Sequence, residues 1–318
     1  GVGRAMYNIY PAGHIVHKVT LGDGLRNFRY NSYDRYEYQM SYLRATPFVR
    51  LELGKSPASH FYQNLTWRTI VLNREEAQFN LMGNYTGKEW FTDYVHELSY
   101  NGENRGALYP YRYRVALERQ RYKDVSGSQR YLKASFEWAG RLTYAPRRGL
   151  HIRCFVGGFL DNTRRNAGAF YPGAFNLVSQ GYNDYRFDDY YFGRNEPEGI
   201  WSQQISIRDG GMKNVIGQGF GLGRSNSFIA ALNFKADLWR KLPVKPYFDI
   251  GYFDNAQPTG RDDTFSDQLM WSGGLMVEWL GGAVGLYFPL LNSQNIQDRY
   301  AERGNYWSRI AFHIDLQQ

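Results

Sequence analysis

Between Ser225 and Leu316 the chain passes through five short segments in which nearly every second residue is apolar. In the first, Phe228, Ala230, Leu232, Phe234, Ala236 and Leu238 share one parity, and Ser227, Asn233, Lys235 and Asp237 the other. Phe248, Ile250 and Tyr252 then oppose Asp249 and Gly251, and Leu269, Trp271, Leu275, Val277 and Trp279 oppose Gln268, Ser272, Gly274 and Glu278. Val284, Leu286, Phe288 and Leu290 follow a Gly281-Gly282 turn, and Tyr306, Ser308, Ile310, Phe312, Ile314 and Leu316 close the series. A period of two belongs to strands with two unlike faces. Consecutive strands joined by turn residues make an antiparallel meander.

The same pattern extends upstream. Tyr36, Tyr38, Met40 and Tyr42 alternate with polar residues, Pro47 interrupts, and Val49, Leu51 and Leu53 resume. Segments carrying Phe61, Leu65 and Trp67, then Trp90 to Tyr100, follow. Tyr111, Tyr113, Val115 and Leu117 face away from Arg112, Arg114 and Glu118. Leu132 to Tyr144 and Leu150 to Leu160 alternate as clearly, with Pro146 to Gly149 between them. Tyr182–Phe192 and Trp201–Asp209 read as weaker strands. Residues 1–35 read as an irregular, periplasmic lead-in, with Gly22-Asp23-Gly24 as a turn signal. Gly1 carries neither methionine nor a leader, which points to a removed leader or to a piece of a longer protein.

Which solvent meets the apolar parity decides the class. Aromatic residues make up 17 % of the chain, and no run is long and apolar enough for a membrane helix. A membrane strand needs only about 9–11 residues with every second one apolar, so low mean hydropathy does not argue against a spanning barrel. The expected fold is all-β: a closed antiparallel transmembrane β-barrel over 36–316, with about fourteen strands, or twelve if Tyr36–Leu53 is one strand. Connections 212–224, 255–266 and 291–305 should lie outside the cell, and Pro146–Gly149, Leu238–Val244 and Gly281-Gly282 on the periplasmic side.

Charges facing lipid would cost about 2–4 kcal/mol for Arg or Lys at mid-membrane. Arg112, Arg114, Glu118, Lys133, Glu137, Arg141, Arg153, Lys235, Asp237, Glu278, Arg309 and Asp315 are therefore assigned to the lumen, where interleaved signs suit a salt-bridge network. Trp90, Tyr144, Trp201, Trp279 and Tyr306, near strand ends, would form interfacial girdles. The net charge of +8 is spread along the strands without a basic run, which argues against nucleic acid. The single cysteine, Cys154, lies on an apolar parity and allows no internal disulfide.

No catalytic residue, metal site or cofactor is assigned. His96-Glu97 opens like a zinc-protease motif, but Tyr100 stands where the second histidine belongs. No nucleophile elbow, P-loop or dinucleotide fingerprint occurs. The Asp188-Asp189 and Asp262-Asp263 pairs lack the spacing of a calcium loop.

Asn233-Phe234, the run Leu242-Pro243-Val244-Lys245-Pro246-Tyr247-Phe248-Asp249-Ile250-Gly251, Leu286 to Leu290, and Ile310 to Ile314 resemble the C-terminal region of M1-type (gluzincin) metallopeptidase-like proteins of Bacteroidetes. Arg194, Gln204 and Asp209-Gly210-Gly211 fit the same likeness. The resemblance implies an outer-membrane barrel that follows a peptidase region, without the zinc motif. Gly217-Gln218-Gly219-Phe220, ahead of the last five strands, resembles the lumen loop of Omp85-superfamily barrels, with Gln218 in place of that family's arginine. The expected role is an outer-membrane barrel that anchors a periplasmic domain or joins an outer-membrane complex. An Omp85-like insertion or translocation barrel is the alternative, and a small diffusion pore the third. Expected partners are outer-membrane lipid and other outer-membrane or periplasmic proteins.

Overall fold

A computed structural model describes residues 2–13, 15–31, 39–54, 59–80, 82, 84–124, 127–163, 173–178, 191–192, 199–216, 222–238, 243–254 and 268–315. The strands are β1 (Val2–Ile9), β2 (Val16–Asn31), β3 (Gln39–Ala45), β4 (Phe48–Leu53), β5 (Phe61–Phe79), β6 (Tyr85–Asn104), β7 (Tyr111–Asp124), β8 (Gly127–Ala145), β9 (Arg148–Asn162), β10 (Phe175–Asn176), β11 (Arg224–Ser225), β12 (Phe228–Ala236), β13 (Val244–Asp254), β14 (Leu269–Trp279), β15 (Val284–Asn292) and β16 (Ala311–Ile314). One helix, α1, spans Gln294–Glu302. All but β10 and β11 belong to one 14-stranded antiparallel sheet, in which neighbours along the chain are neighbours in space. The fold is all-β, and among the described residues no helix is long and apolar enough to cross a membrane.

The sheet has fourteen strand segments, from a different set than the one expected, and they fill thirteen positions because β3 and β4 share one. The irregular lead-in assigned to 1–35 is instead β1 and β2. Gly22 and Gly24 lie inside β2; a Cβ on Gly22 would sit 2.5 Å from the Phe48 ring, so that glycine makes room and does not turn the chain. β3 and β4 both lie between β2 and β5, one strand position broken at Thr46-Pro47, because proline cannot supply a ladder N–H. The strand expected over Trp201–Asp209 is a 3-10 turn, Ile200–Gln203, followed by an extended stretch. Most of the Tyr182–Phe192 candidate lies outside the described residues, as do Asp188-Asp189 and Asp262-Asp263. The strand expected from Tyr306 shrinks to β16, after a 3-10 turn over Tyr306–Arg309. The 291–305 connection contains α1, whose Ile296 and Tyr300, four residues apart, are buried on one side of the helix.

Register explains why the two parities separate so cleanly. Ile9, Val19, Leu51, Leu65, Tyr100, Val115, Phe136, Val156, Ala230, Tyr252 and Leu269 stand opposite one another in one row across the sheet. Tyr7, Leu21, Val49, Trp67, Leu98, Leu117 and Ala134 make the next row. This parity is open to the outside: Val115 and Leu117 are 43 % and 42 % exposed, while Ala116 between them is 6 %. An uninterrupted apolar surface of this extent is far larger than a water-soluble monomer leaves uncovered. Phe136 conforms, at 41 % exposed, but Phe312 departs from the expected lipid-facing role. Trp201 stacks edge-on against Phe312 with ring centroids 6.1 Å apart, so Phe312 is buried.

Over β8, β9 and β12 to β16 the opposite face is covered by the chain itself. Segments 173–178 and 199–216 lie against it, placing Phe175, Leu177, Met212 and Ile216 in one core with Phe155, Ile229, Ala231, Phe253, Met270, Ile296 and Tyr300. Ile205 and Val215 enter a second core with Tyr247, Met276, Tyr287 and Ala311. Inward glycines make this approach fit. A Cβ on Gly251 would lie 2.7 Å from Leu177, and one on Gly157 would lie 2.7 Å from the Phe175 ring. Connections at one end of the sheet are short, at 105–110, 146–147, 237–243 and 280–283. At the other end lie the long ones, 163–227, 255–268 and 293–310, beside the short connections 80–84 and 125–126. The sheet's edges are β1 and β16, and among the described residues these two strands do not pair with each other.

Candidate functional site: a charged interior around an internal segment

Of the twelve charges assigned inward, ten lie on β7, β8, β9, β12 and β14 or at the end of β12, and most are paired, either with the neighbouring strand or with the next but one. Glu137 meets Arg153 at 2.8 Å, Lys133 meets Glu118 at 3.3 Å, Lys235 meets Glu278 at 2.6 Å and Arg141 meets Asp237 at 3.4 Å. Arg114 meets Glu97 at 2.5 Å. Arg112 lies beside the Arg153–Glu137 pair and lines a cavity of about 620 Å³. The remaining two differ. Arg309 sits on the 3-10 turn before β16 with its guanidinium 5.4 Å from the Tyr300 ring, because the chain is not a strand there. Asp315 follows β16, lines the cavity and donates its N–H to the Ala283 carbonyl at 2.7 Å.

Three ionic groups result. At the short-turn end, Lys245 bridges Asp237 (3.0 Å) and Glu278 (2.7 Å), and Asp237 also receives the Gly149 N–H at 3.2 Å and meets His151 Nε2 at 3.1 Å. Burial disfavours the Asp237 carboxylate, but the hydrogen bonds from Lys245 and His151 outweigh it and hold the pKa below the ordinary value. In the middle, Arg153 reaches Glu137, the Asn233 side chain at 3.0 Å and the Asp209 carbonyl at 2.5 Å. Towards the other end, Glu97 is shared by Arg68 (2.9 Å) and Arg114. Glu118 accepts from the Tyr131 hydroxyl at 2.6 Å.

The centrepiece joins wall and internal segment. Asp249 on β13 is wholly buried and receives Lys213 Nζ at 2.6 Å, the Lys213 N–H at 3.2 Å and Asn233 Nδ2 at 3.0 Å. Next to it, buried Asn214 donates to Ser272 Oγ at 3.0 Å and to Tyr300 Oη at 2.8 Å, tying the segment to β14 and α1. Lys133 Nζ donates to the Gly173 carbonyl at 2.8 Å. The Asp209-Gly210-Gly211 turn fits under Arg153: Gly211 has φ +62°, and a Cβ there would lie 2.6 Å from the Arg153 guanidinium. At the sheet's edge the Ile205 N–H donates to the Phe312 carbonyl at 2.8 Å, and Gln204 and Phe312 form an isolated parallel bridge.

Between this segment and the short-turn end lies a cavity of about 620 Å³, lined among others by Arg112, Glu137, Arg141, Lys235, Glu278 and Asp315. A smaller cavity of about 130 Å³ lies beside Glu97, Glu118 and Lys133. Gly217, Gln218, Gly219 and Phe220 lie outside the described residues. Among the described residues no group of three or more His, Cys, Asp or Glu side chains is placed to hold a metal.

Sequence reasoning missed Glu97, Lys213 and Asp249. Glu97 was visible by parity, since it alternates with Leu98 and Tyr100, but it was read within the failed zinc motif. Asp249 was placed on the polar parity without a partner. Lys213 gave no signal, because its segment has no periodicity.

No family profile matches the chain, and no curated protein matches it. Among solved structures it is similar to CdiB from Acinetobacter baumannii, at 10% sequence identity and a TM-score of 0.31. That match covers 93% of this chain, which spans 57% of CdiB's length. A likeness this loose carries no argument about function.

Proposed function

We propose that this chain is the membrane-embedded wall of a bacterial outer-membrane β-barrel, closed around its own internal segment, and that it serves protein partners and not diffusing solutes. One observation carries the reading: an exposed apolar parity continuous across eleven strands, backed by an inward parity of paired charges and the docked 199–216 segment. Lipid accepts the first and tolerates the second only if it is enclosed. Enclosure requires the edges β1 and β16 to be joined through further strand pairing, since an open edge leaves backbone groups unsatisfied in lipid.

The plugged interior argues against a diffusion pore. Of the two protein-serving roles, insertion or translocation is favoured over passive anchoring of an M1-type peptidase domain. Its support is the C-terminal edge: β16 is four residues long, and its free side is held by one parallel bridge to Gln204. Beside it lies the ionic cavity of about 620 Å³, lined there by His313, Ile314 and Asp315.

Two experiments test this. In planar bilayers the protein should show no steady conductance; a stable ohmic pore would favour the solute reading. A photo-crosslinking residue at Trp201, exposed above the β16 edge, should capture segments of outer-membrane proteins during their assembly. Normal assembly of those proteins in cells depleted of this chain, with no cross-link, would leave anchoring as the role.

A further inference from the structure

Above the apolar rows the outward parity changes character on three adjacent strands. One step beyond the Trp67–Leu98–Leu117–Ala134 row stand Thr69, His96, Arg119 and Leu132. One step further stand Val71, Tyr94, Arg121 and Arg130. All three arginines are exposed, as are Tyr94 and His96. Arg130 pairs with Asp161 at 2.9 Å. Arg119 and Arg121 form no ion pair with a described residue, in a protein whose inward cations are mostly paired. Adjacent strands lie about 4.8 Å apart and alternate residues about 6.8 Å apart along a strand, so the three guanidiniums emerge within roughly 10 Å of one another.

We propose that Arg119, Arg121 and Arg130 form a headgroup site for a phosphorylated glycolipid of the leaflet on the long-connection side. This rests on the membrane reading above. Placement and charge argue for it together. The cluster begins where the apolar belt ends, the depth at which lipid phosphates lie. Guanidinium forks match phosphate oxygens in bidentate geometry, and exposed arginines that form no ion pair with a described residue can present their donors to them. Tyr94, across the register from Arg121, adds an amphipathic ring of the kind found at headgroup level. The pairing of Arg130 with Asp161 leaves the other two arginines as the principal phosphate contacts. A glycolipid with two phosphates uses both.

The test titrates purified, detergent-folded protein with bis-phosphorylated lipid A and reads bound lipid by native mass spectrometry. The wild type should hold one lipid A tightly and its dephosphorylated form weakly. At about 1 kcal/mol per basic residue near an anionic surface, Arg119→Gln/Arg121→Gln should bind roughly 30-fold more weakly, with folded gel mobility unchanged. Equal lipid A binding by wild type and the double variant would overturn the site while leaving the barrel reading intact. Equal wild-type affinity for phosphatidylglycerol would overturn the glycolipid assignment. A protein that stays monodisperse without detergent would overturn the membrane reading itself, a result distinct from the other two.

Discussion

Replacing Lys213 by methionine removes the ammonium that lies 2.6 Å from a carboxylate with no exposure to solvent. The methionine keeps most of the side-chain volume, so packing against Tyr247 and Tyr287 changes little. What changes is the electrostatics of Asp249, left with two neutral donors, the Lys213 N–H and Asn233 Nδ2. Breaking one side of a buried pair costs about 3–5 kcal/mol, and the surviving donors, each worth roughly 1 kcal/mol, put the expectation near the lower bound. Urea unfolding of the protein in phospholipid vesicles, followed by tryptophan fluorescence, should therefore show a loss of about 3 kcal/mol. Asp249→Asn in the same background removes the stranded charge, so the double variant should recover roughly 2 kcal/mol of that loss. The single variant should also open transiently in planar bilayers, because Lys213 is the charged side chain through which the internal segment holds β13. A loss below about 1 kcal/mol, or strict additivity in the cycle, would refute the argument that this pair holds the segment in place.

Three further outcomes follow from the same geometry. Phe136→Arg places a charge in the middle of the outward apolar row and should cost about 2–4 kcal/mol if that row faces lipid; a change within about 0.5 kcal/mol would indicate a water-facing surface. Gly251→Val introduces a Cβ 2.7 Å from Leu177 and 3.3 Å from Met212 Sδ. It should displace the internal segment, and trypsin should then cut after Lys213 in folded protein where the wild type resists. Burial pushes the Tyr300 phenol up to about 12. Between the ordinary value of about 10 and that figure, the folded state keeps a proton that the unfolded chain has lost, so stability declines as pH rises through this window. Phenolate absorbance should show a late-titrating tyrosine whose ionisation coincides with loosening of α1, and its loss in Tyr300→Phe checks the assignment.

The hairpin from Leu132 to Leu160 shows how much was legible in the chain. Its alternation gave both strands, though β8 begins five residues before Leu132, and it put Lys133, Glu137, Arg141 and Arg153 on the face opposite the apolar row, because a period of two leaves a residue only two directions to point. The first 35 residues were illegible for the opposite reason. Every residue of β1 is exposed, so no burial imposes a pattern there, and Gly22 of β2 makes room for the Phe48 ring instead of turning the chain. The helix after β15 was signalled by Ile296 and Tyr300, but the surrounding strands masked so short a signal.

Alternation by itself thus determined that the protein is a large antiparallel sheet with a greasy face and an ionic face. Pairing belonged to tertiary structure. Which acid meets which base depends on register and on a segment that crosses the sheet far from its neighbours in sequence, as Lys213 does to reach Asp249. Side-chain direction is a local property of the backbone, set within two residues. An ion pair between distant positions exists only once the wall has folded and a stretch without periodicity has found the glycines that admit it.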